Sequence, residues 1–177
     1  MKTCSFIRAI LSVAFTLASS QLIASEYSHR IWRAEDGLPR NRIQAIEQTP
    51  DGYLWIATSG GLARFDGVRF VVFDSSNTPA LHDDSILSLL PARDGSLWAG
   101  TEGGGLVHYR NGAFTSFGVA EGLTNGFVRA LAEDDAGTLW VGTDRGFFQM
   151  VNGRFVRLDH GTPQSPFVSA VQIVTAR

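Results

Sequence analysis

The side chains able to carry acid–base, metal or phosphate chemistry are few in this 177-residue sequence, and they are scattered. Its four histidines show no His-x-x-x-His spacing and have no cysteine partner, so the pattern predicts no metal site; they are His29, His82, His108 and His160. The segment TEGGGL (101–106) lacks the lysine and the strand-to-helix context of a phosphate loop. The pairs Asp83-Asp84 and Asp134-Asp135 are predicted to be turn residues rather than an acid–base pair. The sequence therefore predicts no catalytic site and no cofactor.

A second group of polar residues could bind a ligand without transforming it. Arginine and amide side chains hydrogen bond to carboxylates and to sugar hydroxyls, and a solvated rim is the alternative for each residue. The candidates are Arg40, Asn41, Arg42, Ser59, Glu102, Asn125, Arg129, Asp144 and Arg145. Whether they can act together depends on the elements that position them.

Three copies of one sequence unit make up most of the chain. The segment DGYLWIAT (51–58) returns as DGSLWAGT (94–101) and as AGTLWVGT (136–143), which places the tryptophans 43 and 42 residues apart. Each unit holds four short apolar runs separated by Gly, Asp, Asn or Pro, a pattern typical of strands and turns. In the first unit these runs are strands A (43–48), B (53–58), C (62–65) and D (69–73). A four-stranded unit with this period is typical of a β-propeller blade, whereas a sandwich of hairpins would not repeat so regularly.

We therefore predict an all-β chain, a partial β-propeller whose ring is not closed. The complete antiparallel blades are predicted at 42–74, 85–117 and 127–158, with an orphan outer strand at 27–33 and the first strand of a fourth blade at 167–174. Asp66-Gly67, Asn111-Gly112 and Asn152-Gly153 are predicted to be tight hairpin turns between strands C and D. A closed propeller needs at least four blades, so we expect the chain to be the front part of a longer protein.

The spacing between landmarks predicts which side of the propeller carries function. The A–B and C–D connections keep one length in all three units, whereas the B–C and D–A connections vary. Alternate connections of an antiparallel meander emerge on the same side, so one face is built from constant turns and the other from variable loops. Ligands bind to variable loops on rigid scaffolds, which predicts the site on the second face. In the first unit that face should include 58–60 and the loop GLPRN (37–41).

The repeated tryptophans could pack between blades or serve as platforms for a sugar. Trp55, Trp98 and Trp140 each lie two residues from Ala57, Gly100 or Gly142, which leave room for an indole ring. We favour packing, because burying such a ring removes roughly 150–250 Å² from water. Trp32 lies on the orphan strand, where we predict a residue that closes a blade.

The first 25 residues have the layout of a secretory signal peptide. Lys2 and Arg8 precede an apolar run (9–18) that is too short to cross a bilayer, and small residues follow it. We expect cleavage near Ala24 or Ser25, leaving a sensor domain at 26–177; an uncleaved anchor or a core helix is the alternative. The only cysteine, Cys4, would leave with this leader. The chain has 15 basic residues, two of them in the leader, against 17 acidic ones, which argues against a nucleic-acid partner.

One segment carries a resemblance to a known family. EDGLPRNRIQAIEQTPDGYLWIATSGGLARFDGVRF (35–70) resembles the repeat of the two-component regulator propeller family, which runs Gly-Leu-Pro-x-Asn, an apolar strand, a Leu-Trp-(Ile/Val)-Gly-Thr segment and Gly-Leu. The third unit carries Gly122, Leu123 and Asn125, with Thr124 in place of proline. The second unit has NTPALHDDS (77–85) in place of the Gly-Leu-Pro segment.

The resemblance implies the extracytoplasmic sensor region of a bacterial signalling protein. In that family the blades precede a membrane-linked output, usually a histidine kinase and sometimes a diguanylate cyclase, and carbohydrate ligands are known for some members. For this chain it implies a periplasmic module that is not itself an enzyme, with a carbohydrate or other small molecule as ligand. It further implies that the remaining blades and the output domain are its partners, within a parent that could be a homodimer. The alternatives are a propeller enzyme resembling streptogramin lyase and a protein-interaction scaffold.

Overall fold

The computed structural model describes residues 29–158 and 170–171. The chain divides at Ile31 and Trp32 into two units, and every strand of the described residues lies in the second unit. That unit contains three four-stranded antiparallel sheets, each with its strands side by side in sequence order. No α-helix occurs in the described residues, and none of their sheets closes into a ring. The predicted all-β fold, a partial propeller, is confirmed.

The strands of each sheet fall within one predicted blade segment. Blade 1 contains β1 (Ile43–Gln48), β2 (Leu54–Thr58), β3 (Gly61–Phe65) and β4 (Phe70–Phe73). Blade 2 contains β5 (Ile86–Pro91), β6 (Leu97–Thr101), β7 (Leu106–Arg110) and β8 (Ala113–Phe117). Blade 3 contains β9 (Val128–Glu133), β10 (Leu139–Thr143), β11 (Gly146–Val151) and β12 (Arg154–Leu158). Short 3-10 turns at Ala34–Asp36 and Val119–Glu121 precede blades 1 and 3.

The C–D hairpin turns are of two kinds. Asn111 and Asn152 both have φ of 51°, and the glycine after each is also in the left-handed region, so these two turns are tight as predicted. The prediction was wrong for Asp66-Gly67, because β3 and β4 are joined by four residues. The Asp66 carboxylate accepts hydrogen bonds from the backbone N–H groups of Val68 (2.8 Å) and Arg69 (2.9 Å). The Asp66 backbone N–H also donates to the Arg69 carbonyl (3.3 Å), so a side chain and the backbone together close this turn.

Most of the core lies in the layers between neighbouring blades, and a smaller cluster of Leu38, Ile56, Ala63 and Phe65 lies on the other face of blade 1. In the first layer Trp55 and Leu62 of blade 1 pack with Leu97 and Val107 of blade 2. In the second, Trp98 and Leu106 of blade 2 pack with Val141 and Phe148 of blade 3. The innermost strands are also linked across blades, since the Ser88 hydroxyl donates to the Val128 carbonyl (3.1 Å). Each blade is therefore held by the faces of its neighbours.

One buried leucine precedes the first strand of each blade and packs against the face of that blade. Leu38, Leu81 and Leu123 are all buried and belong to the core layers of blades 1, 2 and 3 respectively. Sequence comparison missed Leu81, because the neighbouring glycine and proline are replaced in NTPALHDDS. The second unit therefore retains the leucine contact of the segment that it was predicted to lack.

An aromatic residue at the end of the outer strand in blades 1 and 2 contacts an aromatic residue of the next blade. Phe73 contacts Phe114 (ring centroids 4.9 Å apart), and Phe117 contacts Phe155 (6.2 Å). Trp32 contacts Phe65 (4.9 Å) and Phe70 (5.5 Å) with its ring edge-on to theirs. Trp32 thus packs on blade 1 as Phe73 and Phe117 pack on blades 2 and 3.

The three repeated tryptophans differ in burial. Trp55 is fully buried and Trp98 is 9% exposed, so packing between blades is confirmed for both. Trp140 is half-buried and stacks on Phe147 of its own blade (5.4 Å). It lies on the face of blade 3 that no described blade covers. The prediction of an inter-blade core position is therefore not confirmed for Trp140.

Three predicted segments lie wholly or partly outside the described residues. The leader at 1–25 lies outside them and stays a prediction. Of the orphan strand at 27–33 the structure describes 29–33, and of the strand at 167–174 it describes 170 and 171; none of these residues belongs to a sheet. Neither strand is confirmed. Within the described ranges, no helix has both the length and the apolar character needed to cross a bilayer.

Replacing Trp55 with alanine should destabilise the chain far more than the same change at Trp140. Trp55→Ala empties a fully buried position, which costs roughly 3–5 kcal/mol, whereas Trp140 is half-buried on an uncovered face. Urea unfolding of both variants measures the difference. Equal losses of the free energy of unfolding would contradict this account of the inter-blade core.

Candidate functional site

The predicted variable face is present as one surface. The β2–β3, β6–β7 and β10–β11 loops emerge on the same side of the blades as the loops that enter β5 and β9. Backbone hydrogen bonds join the two kinds of loop: Glu102 N–H donates to Ser85 C=O (2.9 Å), and Asp144 N–H donates to Phe127 C=O (3.3 Å). The face is therefore a set of interlocked loops fixed to the strand ends.

A buried threonine anchors each B–C loop. The hydroxyls of Thr58, Thr101 and Thr143 donate to the carbonyls of Gly61, Gly105 and Gly146, each at 2.9 Å. All three threonines have no exposed surface. Thr58 was predicted to project onto the variable face, and that was wrong, because its hydroxyl is used to close the loop beneath the surface.

Arg40 and Ser59 are brought together beside blade 1. Arg40 lies across Gly60, where a β-carbon would come within 2.9 Å of Arg40 Cγ. Ser59 is the exposed residue next to that glycine. Arg42, also exposed, directly precedes β1. This part of the face offers a guanidinium and a hydroxyl to solvent from neighbouring positions.

The two candidate asparagines hold the loops. Asn41 Oδ1 accepts from the Ala34 backbone N–H (2.7 Å), and Asn125 Oδ1 accepts from the Phe127 N–H (3.1 Å). In the second unit Asp83 and Asp84 accept in the same way from Ser85 (2.8 Å) and Ser75 (2.7 Å), which confirms their prediction as turn residues. These side chains shape the face, and their oxygens are already engaged.

Asp134 is a turn residue as well. Its carboxylate accepts from the backbone N–H groups of Thr138 (2.8 Å) and Ala136 (3.0 Å), and from Trp140 Nε1 (3.0 Å). These bonds, led by that from Thr138, lower the pKa of Asp134 below its usual value. The group stays ionised and structural, while Asp135 pairs with Arg93 (2.5 Å).

A charged cluster lies where blades 2 and 3 meet on the variable face. Both nitrogens of the Arg129 fork bond Asp144, with Nη2 at 3.1 Å from Oδ2 and Nε bonded to Oδ1. The hydrogen bond to Asp144 raises the pKa of Arg129, and the charge of Glu102 contributes to the rise. Because Asp144 engages the fork, a ligand carboxylate must compete for it. The exposed Glu102 carboxylate supplies the excess negative charge of this cluster.

Next to the charged cluster is a cavity of about 300 Å³ lined mainly by glycine backbone. Its glycines are Gly103, Gly104, Gly105, Gly118 and Gly126, and its side chains include His82 and Leu123. The glycines of the segment TEGGGL, between β6 and β7, line this cavity. Glycine is needed where the neighbouring backbone comes too close for a side chain. A β-carbon on Gly126 would lie 2.2 Å from the Gly103 carbonyl oxygen, and one on Gly104 would lie 2.9 Å from Asp83 N.

The nine predicted residues thus divide into groups. Arg40 and Ser59 form one pair, and Glu102, Arg129 and Asp144 form a cluster; the asparagines support loops. Arg145 is exposed beside Asp144, and its backbone N–H donates to the Thr143 hydroxyl (3.2 Å). Sequence reasoning missed His82, although its position directly after Leu81 would have placed it on this face. In the described part of the chain, no group of three or more His, Cys, Asp or Glu side chains could hold a metal ion.

Comparison with known proteins confirms the family resemblance. The family model described as two component regulator propeller matches residues 37–60, 80–103 and 122–145. Each match begins at the residue before the buried leucine and ends in the B–C loop. The chain therefore contains three such repeats, including one that begins at Ala80. No protein of curated function matches the sequence significantly.

Solved structures share the architecture. The extracellular domain of a protein described as a hybrid two component system of B. thetaiotaomicron is 27% identical, with a TM-score of 0.70 over 81% of this chain and 20% of that one. A second such domain from the same organism is 25% identical, with a TM-score of 0.60 over 78% of this chain and 20% of that one. The chain thus spans about a fifth of the length of both.

A lyase shares the fold alone. Virginiamycin B lyase from Staphylococcus aureus is 15% identical, with a TM-score of 0.56 over 72% of this chain and 44% of that one. At this identity the likeness concerns the arrangement of blades and does not extend to the activity of that enzyme.

The close approach of loops predicts a strong effect of one added methyl group. Gly126→Ala forces the β-carbon against the Gly103 carbonyl, which should cost about 1–3 kcal/mol and open the cavity floor. Gly118→Ala is the matched control, since Gly118 lines the same cavity, its φ is negative (−150°) and its β-carbon would meet nothing within 4 Å. Thermal melting of both variants tests this, and equal melting temperatures would contradict it.

Proposed function

Because this chain carries three two component regulator propeller repeats, we propose that it is the ligand-sensing part of an extracytoplasmic bacterial sensor. The observation that carries the proposal is the variable face, where a cavity of about 300 Å³ adjoins the cluster of Glu102, Arg129 and Asp144. The likeness to extracellular domains of proteins described as hybrid two component systems supports a sensor role. In this role the chain binds a ligand and catalyses no reaction.

The chemistry of the face favours a neutral, hydroxyl-rich ligand such as an oligosaccharide or another small periplasmic molecule. Hydroxyl groups can donate to the exposed Glu102 carboxylate and accept from Arg40, whereas an anionic ligand that binds Arg129 must displace Asp144 and meets the charge of Glu102. The interlocked loops present these groups without rearrangement, which lowers the ordering cost of binding.

Signal transfer requires parts that lie beyond this chain's three blades. We propose that the remaining blades of the parent protein cover the outer faces of blades 1 and 3, and that a membrane-linked output domain reads the ligand state. A ligand that binds one arrangement of the blades better than another shifts the equilibrium between them. A homodimer of the parent would place two such sensors over one output unit.

Removing the Glu102 charge should weaken ligand binding. Titration calorimetry with a panel of neutral and acidic oligosaccharides identifies a ligand, and Glu102→Gln should then bind it roughly 10- to 100-fold more weakly, the worth of one hydrogen bond to a charged group. Arg69→Gln is the control, because Arg69 is exposed on the opposite face at the β3–β4 turn. Unchanged affinity in Glu102→Gln, or an equal loss in the control, would refute this binding site.

The streptogramin lyase alternative has a direct test. Incubation of the chain with quinupristin, the ligand of the lyase structure, should leave the compound intact by mass spectrometry. Ring opening by the chain, abolished by a His108 or His82 substitution, would establish an enzyme instead of a sensor.

The proposed location depends on the leader. Expressed from Met1 in a Gram-negative host, the chain should appear in the periplasm with a mature N-terminus near Ala24 or Ser25. Leu11→Arg, which interrupts the apolar run, should retain the precursor in the cytoplasm, whereas Ser5→Arg in the charged region should be exported. Export of Leu11→Arg would show that these residues are not a signal peptide.

A further inference from the structure

A second cavity, of about 250 Å³, lies between blades 2 and 3 on the opposite face, beside the β5–β6 and β9–β10 turns. It is lined by Trp98 and His108 and by the charged residues Asp94, Arg110 and Glu133. This is the face that the constant turns form, so none of these residues belongs to the proposed sensing face.

The cavity contains an indole N–H donor that has no acceptor among the described residues. In blade 1 the indole Nε1–H of Trp55 donates to the Thr49 hydroxyl (3.0 Å), and in blade 3 that of Trp140 donates to Asp134 (3.0 Å). Blade 2 has Ala92 at the equivalent position, and Ala92 lines the cavity. Trp98 is only 9% exposed, and the described residues provide no acceptor for its Nε1–H. Among the described residues, the buried side-chain nitrogens and oxygens that lack a partner do not include this atom, so solvent in the cavity reaches the Trp98 N–H, and an acceptor from outside the chain can take the place of that solvent.

The cavity exists because the second layer between blades has smaller side chains than the first. Between blades 1 and 2, Arg64 lies over the Tyr53 ring (4.4 Å to its centroid) and donates to the Tyr109 hydroxyl (2.9 Å). The matching residues between blades 2 and 3 are His108, Ser96 and Met150. Large side chains fill this position between blades 1 and 2, and smaller ones leave it open between blades 2 and 3.

The charges around the cavity are fixed in place. The Ser96 hydroxyl donates to Asp94 (2.5 Å), and this bond is the main cause of the lowered pKa of Asp94. Arg110 Nη1 lies 3.3 Å from Asp94 Oδ2. Glu133 Oε2 accepts from the Arg93 backbone N–H (2.8 Å), while Oε1 accepts no hydrogen bond within the described residues. The cavity thus combines an indole donor and a guanidinium with two carboxylates.

His108 is held as a neutral wall of the cavity. Its ring stacks on Trp98 at 4.0 Å, and its Nε2 is hydrogen bonded to the Ser96 hydroxyl (2.7 Å). Burial is the main cause of its lowered pKa. Phe117 contacts the Trp98 indole as well (5.3 Å). With one indole face covered by His108, Trp98 offers its N–H edge rather than a platform for a sugar ring.

We propose that this cavity binds a small zwitterion of the amino-acid class. The ligand carboxylate accepts from Trp98 Nε1–H and Arg110, and its ammonium group donates to Glu133 Oε1 and Asp94. A volume of about 250 Å³ suits a ligand of this size. The site is separate from the sensing face, so its occupation does not depend on the function proposed for that face.

The test uses the whole chain and single amino acids as probes. Titration calorimetry with the twenty amino acids should find at least one that binds with millimolar or better affinity, while acetate and methylammonium, which each carry one of the two charges, should bind at least tenfold more weakly. In ¹H–¹⁵N spectra, the indole resonance assigned with Trp98→Phe should shift on binding, and that of Trp140 should not. Absence of binding by every amino acid at 10 mM would overturn the proposal.

Two variants separate the site from general effects on folding. Ala92→Thr supplies the hydroxyl acceptor found at Thr49 and occupies part of the cavity, so the chain should stay folded and lose at least tenfold in affinity. Glu133→Gln should show the same loss without filling space. Ala113→Thr is the matched control, because Ala113 is exposed at the start of β8. Unchanged affinity in both Ala92→Thr and Glu133→Gln would overturn the proposal.

Discussion

Each blade of this chain has two apolar faces, and most of the buried apolar side chains of the described residues lie where one blade packs against the next. Trp55 and Leu62 become buried because blade 2 places Leu97 and Val107 against them. Trp140 occupies the same position in blade 3 and is half-buried, because no described blade lies on that face. Burial is therefore a property of the layer between two blades, and stability is a sum over neighbouring pairs. This explains why the same apolar residues recur in each repeat.

The stacking of blades also separates the face of constant turns from the variable face. The B–C loops are closed from below by buried threonines and linked at the side to the D–A loops. Their exposed residues can vary, because these bonds are made by Thr58, Thr101, Thr143 and by backbone. Arg129 illustrates that neighbouring positions vary as well. The first and second repeats have Gln44 and Leu87 at its position, yet all three repeats form the first strand of the blade there.

The sequence was sufficient to predict the blades, their order and the variable face, because strand periodicity and constant spacing follow directly from the packing of one repeat on the next. It failed where a contact can be made by different local sequences. Leu81 keeps its place although its neighbours change, the Asp66 side chain helps to close a longer turn in which Gly67 has positive φ, and Thr58 turns inward. The grouping of Arg40 with Ser59, and of Glu102 with Arg129, depends on how loops of different length fold over one another.

The three repeats can be compared at one position to see which residues the blade structure requires. Thr49 and Asp134 differ chemically, yet both accept from the tryptophan of their blade, which shows that the repeat requires an acceptor rather than a particular residue. Ala92 breaks this rule in the blade where Ser96, His108 and Met150 also leave space. Packing alone would favour filling that space, as Tyr53, Arg64 and Tyr109 do one layer earlier. Several coordinated departures at one place, lined by charged groups, fit the proposed ligand better than relaxed packing, since each loss of side-chain contacts would cost stability.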